Sequence, residues 1–372
     1  MIVRTPSGLA PPPDLVCVVL AGGAGTRLWP RSRSGRPKHL LPLAPDGRSL
    51  LRHAFERASE LGGEVLVVSA LEQAEAVARE LPELALDRLL LEPEPRGTGP
   101  ALAWAALAAE RLRPGSVMVS LHADHHIPDQ QATSVLLSAA WWAQRAQLLV
   151  AVGLRPSWPS PAFGYIEMAA ELSRPKGLPD AAMPLWRARG FLEKPDQARA
   201  REMVDAGTFL WNTGLFAWPA RLLLEELARY APELEAAVRS AVDSSKDFGS
   251  EWAALPSGVI ERLVLERSDR LGVLPSDLRW SDLGSYRDLY QAAIEAGQAD
   301  TDGNVAKGPT MLEDSRDCYV DASSSRLVVL LGAEGLAVVD TPDALLVCPL
   351  NRVQEVSRVV ARLRREERQD LL

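Results

Sequence analysis

The chain has 372 residues, a hydrophobic fraction of 47% and a formal net charge of −8. This length and apolar content are enough for one large domain or two domains with a buried core. The acidic balance argues against a general nucleic-acid-binding protein, because phosphate backbones are held by broad basic surfaces. No apolar run approaches the ~20 residues of a membrane helix. We therefore expect a cytoplasmic protein with neither nucleic acid nor membrane as a partner.

The two features that bear on compartment are the N-terminus and the cysteines. Residues 1–14 are predicted to be a disordered leader, since the first apolar strand follows Pro-Pro-Pro-Asp and lacks the basic flank of a signal peptide. Cys17, Cys318 and Cys348 lie within apolar runs and are few and odd in number. This pattern is typical of reduced core residues and not of a disulfide framework or a zinc site.

In chain order, short apolar runs alternate with helical patterns. The predicted strands are Val16–Leu20, Val65–Ser69, Leu89–Leu91, Val117–Leu121 and Leu148–Val152. The predicted helices are Leu50–Leu61, Ala101–Leu112 and Thr133–Gln147. This alternation predicts an α/β fold with a mostly parallel, Rossmann-like sheet. Ligands of such sheets bind beyond the carboxyl ends of the strands, so the residues directly after each strand are candidate site residues.

A glycine-rich loop follows the first predicted strand. It reads Gly22-Gly23-Ala24-Gly25-Thr26-Arg27 and fits neither G-x-G-x-x-G nor G-x-x-x-x-G-K-[ST]. Glycines let the backbone approach a ligand closely, and consecutive N–H groups can cradle an anion. Arg27 would add charge-assisted hydrogen bonds to phosphate oxygens.

The stretch between Asp14 and Asp46 contains no carboxylate side chain. Its cations are Arg27, Arg31, Arg33, Arg36 and Lys38. In an acidic protein such a local positive patch predicts an anionic ligand. The alternative is a solvated basic loop, and for Arg31 and Arg33 the sequence leaves both interpretations open.

Two carboxylates are candidate metal ligands. The fourth strand runs into the sequence HADHH, in which Asp124 would face the glycine loop and could hold Mg²⁺. A zinc site is less favoured there, because His125 and His126 are adjacent and point in different directions in an extended chain. Asp282, in the sequence RWSDLGSY, could be a second Mg²⁺ ligand, with helix capping as the alternative.

Three later segments with strand character carry isolated polar residues. They are FGYIEM (163–168), GFLEKP (190–195) and FLWNTGLFAW (209–218). Glu193 and Asn212 interrupt apolar stretches, and a buried polar group needs a partner. Sugar hydroxyls or the protein's own backbone could be that partner, and the pattern does not decide between them.

The pattern of residues changes towards the C-terminal end of the chain. After the linker-like sequence AGQADTDGN, short β-rich pieces precede a charged helix. The predicted strands are Cys318–Asp321, Arg326–Leu331 and Leu336–Val339, and the predicted helix is Val353–Glu367. We therefore expect a small second domain.

Taken together, these motifs resemble those of a known family. The strings L-A-G-G-x-G-T-R-L-x-P, P-K, E-P-x-x-R-x-T, A-D-H, G-Y-I, E-K-P, W-N-x-G and W-S-D-L-G-S occur in this order over residues 15–290. In order and spacing they resemble the sugar-1-phosphate nucleotidyltransferases, and among these the mannose-1-phosphate guanylyltransferases. The resemblance implies a catalytic domain of glycosyltransferase-A-like fold, residues 15–296, and a left-handed β-helix-like domain, residues 297–372, that ends in a helix.

The resemblance also implies an activity. Such an enzyme transfers GMP from GTP to mannose 1-phosphate, which yields GDP-mannose for polysaccharide biosynthesis and releases pyrophosphate. The implied cofactor is Mg²⁺, the partners are the two substrates, and the implied assembly is a homodimer.

Site residues follow from the matching positions. The nucleotide would be bound by Gly22, Gly23, Gly25, Thr26, Arg27, Glu92, Arg96, Thr98 and Gly99. The sugar phosphate would be bound by Gly164, Tyr165, Glu193, Lys194 and Asn212. The catalytic residues would be Arg27, Lys38, Asp124 and Asp282, of which Asp124 and Asp282 would bind Mg²⁺.

The chain departs from the family pattern at four places, of which Tyr286, where the family has Trp, is a mild change between aromatic residues. His39 stands where the family usually has Gln, and residues 96–101 read RGTGPA instead of RNTAPA. Residues 259–266 match the family's SIDYAVME segment only loosely, and no site residue is assigned there. The alternatives are therefore a different nucleotide and sugar phosphate pair, or a catalytically silent nucleotide-sugar-binding regulatory subunit.

Overall fold

The computed structural model of the protein describes residues 8–23, 25–44, 46–244 and 247–372. Residues 1–7 of the predicted leader, residues 1–14, lie outside these ranges. Its remaining part packs against the first domain, because Leu9 is buried and the Trp141 indole N–H donates to the Ala10 carbonyl over 2.8 Å.

A nine-stranded sheet forms the centre of the first domain. Its strands are β1 (Leu15–Ala21), β2 (Glu64–Ala70), β3 (Leu89–Glu92), β4 (Val117–His122), β5 (Leu149–Leu154), β6 (Tyr165–Glu171), β7 (Trp186–Leu192), β8 (Phe209–Pro219) and β9 (Leu271–Ser276). They are ordered β3-β2-β1-β4-β8-β5-β9-β7-β6. Every residue of β1 is buried, as expected for a strand that helices cover on both faces.

The pairing changes direction across this sheet. β3, β2, β1 and β4 pair in parallel, as the βαβ pattern predicts. β8 runs antiparallel to its three partners, β4, β5 and β6, and β6 and β7 are also antiparallel. The predicted α/β class is confirmed, and the sheet is mixed because β8 lies between β4 and β5 and runs opposite to both.

Helices cover both faces of the sheet. They are α1 (Leu50–Glu60), α2 (Ala74–Glu80), α3 (Thr98–Leu112), α4 (Ala132–Ala146), α5 (Gln197–Ala206), α6 (Ala220–Tyr230), α7 (Pro232–Asp243), α8 (Phe248–Ala253) and α9 (Tyr286–Glu295). One buried cluster contains the apolar sides of α1 and α4, and a second contains those of α3, α6 and α7. The three predicted helices are confirmed as α1, α3 and α4, and the first five predicted strands as β1 to β5, with ends that shift by a few residues.

The C-terminal domain is a stack of short strands. They are β10 (Val305–Lys307), β11 (Thr310–Glu313), β12 (Tyr319–Ala322), β13 (Val328–Leu331), β14 (Leu336–Asp340) and β15 (Leu345–Pro349). β10, β12 and β14 pair in parallel, and so do β11 and β13, so successive turns of chain lie on one another. This geometry confirms the predicted β-helical domain. The predicted final helix is a 3-10 turn, Leu350–Glu355, followed by α10, Val356–Arg365.

The two domains share a hydrophobic cluster. It joins Leu28, Trp29 and Tyr286 of the first domain to Val305 and Val353 of the second. Tyr286 donates its hydroxyl hydrogen to the Leu28 carbonyl over 2.7 Å inside this cluster. The segment after the glycine loop is therefore fixed by the C-terminal domain.

This contact changes the interpretation of two arginines. Arg31 forms an ion pair with Asp321 at 3.0 Å, with only 13% and 7% of the two side chains exposed. Arg33 pairs with Asp343, also at 3.0 Å. Neither the solvated-loop nor the anionic-ligand interpretation is correct for these two cations, because carboxylates of the second domain neutralise them. Arg36 is exposed.

Two further expectations concern cysteines and membranes. The three cysteines are free; Cys17 and Cys318 are buried as predicted, whereas Cys348 is only partly buried. Within the described ranges, every helix is too short or too polar to cross a bilayer.

Candidate active site

The glycine loop and Asp124 leave the sheet at the same edge. β1 and β4 are parallel, and Leu20 lies opposite His122. Gly22 therefore follows one strand where Asp124 follows its neighbour, as the carboxyl-end rule predicts. Ala24 and the side chain of Thr26 lie outside what the structure describes.

Lys38 packs directly against the glycine loop. Gly25 has a φ of +57°, and a Cβ atom on it would lie 2.4 Å from the Lys38 Cβ. Only glycine fits this position, because the backbone conformation and the space both exclude a side chain. Lys38 itself is 4% exposed.

The Lys38 ammonium connects the two predicted metal ligands. Its Nζ donates to Asp124 Oδ2 over 2.9 Å and also to the backbone carbonyl of Asp282. Burial alone would raise the pKa of Asp124, but the Lys38 charge, the two neighbouring histidines and the hydrogen bond lower it well below its usual range. Asp124 is therefore ionised at any working pH.

The turn that carries Asp282 is tied to the segment after β4. His126 and Ser281 exchange backbone hydrogen bonds of 2.9 and 3.0 Å. Asp282 Oδ1 accepts from the Gly284 N–H over 3.3 Å, and Ser285, not Asp282, is the N-cap residue of α9. The helix-capping alternative for Asp282 is therefore wrong.

Arg27 and Asp282 line one cavity of about 900 Å³. Trp158, Phe163 and Trp211 form part of its wall. Lys38 reaches this wall through its contact with Asp282. The structure thus brings all four predicted catalytic residues, Arg27, Lys38, Asp124 and Asp282, to one place.

Two histidines of the HADHH segment flank Asp124. His122, Asp124 and His125 have potential ligand atoms within 4.8 Å of one another. The Trp280 indole N–H donates to His125 Nδ1 over 3.3 Å, so the proton of the neutral ring is on Nε2, which faces Asp124. Burial lowers the pKa of His125 to about 3, which keeps the ring neutral. His125 therefore presents no free nitrogen lone pair to a metal.

His39, the departure next to Lys38, adds no charge to the site. It is 1% exposed, and burial lowers its pKa to about 4. Its ring is therefore neutral at physiological pH.

The last residue of β3 and the segment after it lie near the glycine loop, and that residue, Glu92, places a carboxyl group beside it. Glu92 is 4% exposed, and its Oε2 would lie 3.9 Å from a Cβ on Gly22. Its Oε1 is buried and has no hydrogen-bond partner among the described residues. Burial raises the pKa of Glu92 to about 7, although the Arg96 backbone N–H lowers it in part. A buried oxygen without a partner indicates a place for a ligand donor.

The rest of this segment is engaged within the protein. Thr98 Oγ1 accepts from the Ile260 N–H over 2.9 Å, and Arg96 binds Glu94 and the Ala253 carbonyl. A Cβ on Gly99 would lie 2.4 Å from a Leu263 methyl group. These residues shape the segment through contacts with the chain near residue 260.

The predicted sugar-site residues form a second group beside the first. A Cβ on Gly164 would lie 2.5 Å from Glu193 Oε2, so a glycine is needed there. Lys194 Nζ lies 3.3 Å from Glu193 Oε1, and Lys194 has a strained φ of +52°. Asn212 is 8% exposed, and its Oδ1 accepts from the Gly214 N–H over 3.0 Å. Gly214 in turn meets the His122 ring, which links this group to Asp124.

Tyr165 supports this group from behind. Its ring is buried, and its hydroxyl bonds to both the N–H and the carbonyl of Ser160 at 2.9 and 3.0 Å. Its polar atom is therefore already paired within the protein.

Glu261 is a further candidate site residue, which sequence reasoning did not assign. It is 8% exposed, lies on a π-helical turn (Glu261–Leu265) and accepts from Asn212 Nδ2 over 3.4 Å. Burial and the nearby Glu193 charge raise its pKa to about 7. A π-helical turn often marks a functional site, and the loose match of residues 259–266 to a family segment was the signal in the sequence that could have pointed to it.

Comparison with known proteins now adds to this geometry. Residues 16–298 match the family model described as nucleotidyl transferase, and residues 310–363 match the MannoseP isomerase/GMP-like beta-helix domain. The chain belongs to the nucleotidyl transferase family. The predicted membership and the two-part architecture of this nucleotidyltransferase are thereby confirmed.

Individual relatives agree with this result. The nucleotidyltransferase is 34% identical to the mannose-1-phosphate guanylyltransferase of Klebsiella pneumoniae, covering 96% of this chain and 75% of the relative. It is 33% identical to the alginate biosynthesis protein AlgA of Pseudomonas aeruginosa, covering 93% and 71%. Among solved structures, a Thermus thermophilus protein described as mannose-1-phosphate geranyltransferase superposes with a TM-score of 0.80 at 32% identity, covering 94% and 99%.

Proposed function

We propose that this nucleotidyltransferase transfers GMP from GTP to mannose 1-phosphate and releases GDP-mannose and pyrophosphate. The observation that carries the proposal is the Lys38 ammonium, which joins Asp124 and Asp282 directly beside the glycine loop. Relatives named for this activity over most of the chain support the choice of substrates.

The reaction follows from charge. The second pKa of a phosphate monoester is ~6, so mannose 1-phosphate is largely dianionic at neutral pH and its oxygen needs no general base. That oxygen forms a bond to the α-phosphorus of GTP while the bond to the bridging oxygen of pyrophosphate breaks. The remaining obstacle is to bring two anions together in line, which requires positioning and neutralisation. Arg27 and Lys38 would meet the nucleotide phosphates, and Lys194 would meet the sugar phosphate.

The oxygen donors at the site fit Mg²⁺. Asp124 is ionised, is 34% exposed and has a second carboxylate oxygen that is not bonded to Lys38. Asp282 supplies another carboxylate at the cavity wall. We infer that these two residues would hold Mg²⁺, which prefers oxygen ligands over the protonated nitrogen that His125 presents. When bound, Mg²⁺ would neutralise phosphate charge.

Specificity for guanine would come from Glu92. Guanine presents adjacent N–H donors, and the buried Glu92 carboxylate beside Gly22 offers acceptors with one oxygen unpaired among the described residues. The same pocket would disfavour a base that presents acceptors there, because two acceptors would face each other without a proton.

This assignment predicts a pH dependence of GTP use. Because burial raises the pKa of Glu92 to about 7, the ionised acceptor form is lost as the pH falls through that value. We expect kcat/KM for GTP of the wild type, divided by that of Glu92→Gln, to fall about tenfold from about pH 8 to about pH 6. Division by the variant cancels the titration of the substrates. A ratio that is constant over this range would contradict the assignment.

The substrates themselves are tested by a grid of nucleoside triphosphates against sugar 1-phosphates with Mg²⁺, scored by released pyrophosphate. We expect the highest kcat/KM for GTP with mannose 1-phosphate. If another pair released pyrophosphate fastest, the proposed reaction type would stand and the proposed substrates would be wrong. Binding without any turnover across the grid would favour the regulatory-subunit alternative.

A further inference from the structure

The C-terminal domain touches a residue of the proposed nucleotide site. Arg27 Nη1 donates to Gln354 Oε1 over 3.1 Å. Gln354 lies on the 3-10 turn Leu350–Glu355, and both side chains line the same cavity as Asp282. A side chain more than three hundred positions away in the sequence thus contacts the arginine of the glycine loop.

Packing on both sides sets the position of this contact. Leu350 and Val353, on the turn that carries Gln354, are buried in the same cluster as Leu28 and Trp29, which directly follow Arg27. The Leu350 N–H also donates to the Gly335 carbonyl over 2.8 Å. The separation of Gln354 from the Arg27 backbone is therefore determined by a hydrophobic core and not by a free surface loop.

The other end of the guanidinium group approaches the Asp282 turn. A Cβ on Gly284 would lie 3.3 Å from Arg27 Nη2 and 2.7 Å from Asp282 Oδ2. The guanidinium group therefore spans the space between the C-terminal domain and the turn that carries a proposed metal ligand. Arginine has five N–H donors, so one bond to Gln354 leaves the others available to a phosphate.

The chemistry of the partner distinguishes Arg27 from its neighbours. The second domain meets Arg31 and Arg33 with the carboxylates of Asp321 and Asp343, which cancel their charge. It meets Arg27 with a neutral amide. A hydrogen bond to an amide restricts the orientation of a guanidinium group and leaves its positive charge intact. A cation that receives a triphosphate needs both properties.

We propose that Gln354 is a positioning residue for Arg27, so that the C-terminal domain completes the nucleotide site. The inference rests on the proposed function, in which Arg27 meets the triphosphate. Gln354 itself contacts no reacting atom. It acts by holding Arg27 in the orientation that the phosphates need, which lowers the conformational freedom lost when the nucleotide binds.

A double-mutant cycle in the full-length chain tests this proposal. We expect Gln354→Ala to lower kcat/KM for GTP about fivefold in the wild-type background and to have no effect in the Arg27→Ala background. Gln354→Glu keeps an acceptor oxygen but adds a negative charge. We expect it to lower kcat/KM for GTP about tenfold, with a larger loss at low ionic strength, where the new ion pair is less screened.

The control is Gln369→Ala, an exposed glutamine of the same domain, which should leave kcat/KM and the thermal unfolding midpoint unchanged. Full activity of Gln354→Ala would overturn the proposal. So would equal losses from Gln354→Ala with and without Arg27, because Gln354 would then act independently of the arginine.

Failure of the proposed function can be recognised separately. If the wild type turns over another nucleotide and sugar phosphate pair, the substrates are wrong and the cycle is scored with that pair. Coupling between Gln354 and Arg27 then supports the inference, and additivity overturns it.

Discussion

Asp124→Asn is expected to lower kcat about a thousandfold while the protein still folds. Asparagine has the same shape as aspartate and keeps an acceptor oxygen for the Lys38 ammonium, which lies 2.9 Å away in the native protein. The negative charge is lost, and with it the strong carboxylate ligand proposed for Mg²⁺. A thousandfold loss corresponds to about 4 kcal/mol of transition-state stabilisation, which is the scale expected for one charge in a cleft that must receive two phosphorylated substrates.

The measurement is steady-state kinetics with pyrophosphate release, together with thermal unfolding. Asp321→Asn is the matched control, because it also removes a carboxylate that is paired with a largely buried cation, Arg31. We expect this control to lose stability, by about 3 kcal/mol or less, and to keep kcat within about threefold of wild type. If Asp124→Asn kept more than a tenth of the wild-type kcat, Asp124 would not be a metal ligand.

Lys38→Ala is the second large effect, with an expected thousandfold fall in kcat/KM. The ammonium is 4% exposed and contacts both Asp124 and the Asp282 carbonyl, so its removal leaves two oxygen groups facing each other without a cation. The proposed triphosphate would then meet a more negative site. We therefore expect the KM for GTP to rise and kcat to fall in the same variant.

Lys38→Arg should recover little of this loss. A guanidinium group is larger and planar, whereas the Lys38 ammonium is a compact donor on a side chain that is 4% exposed and contacts two oxygen groups. Lys176→Ala, an exposed lysine, serves as the control and should match wild type. Near-normal activity of Lys38→Ala would remove the observation on which the proposed function depends.

Helices and strands could be predicted from the sequence where local patterns are strong. β1 is a continuous apolar run, β4 is apolar apart from Ser120 and His122, and the helices α1, α3 and α4 follow the expected pattern. The mixed direction of the sheet was not readable, because whether a strand such as β8 lies between β4 and β5 depends on the path of the chain and not on its own residues.

The candidate site could be predicted only in part, because contacts between residues that are distant in sequence depend on the path of the chain. Asp124 and the glycine loop follow strand ends, so the topology of a parallel sheet was enough to bring them together. Glu261 contacts Asn212 across 49 positions from a turn whose sequence matches a family segment only loosely. Its position could be known only once the chain was folded.

The sequence by itself determined the α/β class, the glycine loop and the residue types of the site, because strand periodicity and glycine conformation are local properties. The tertiary structure alone decided which cations remain available to a ligand. Arg31 is neutralised by Asp321, which is 290 positions away, whereas Arg27 meets the amide of Gln354, which is 327 positions away. The charge of a site depends on partners that only folding brings into contact, since electrostatic attraction acts over distance in space and not over distance in sequence.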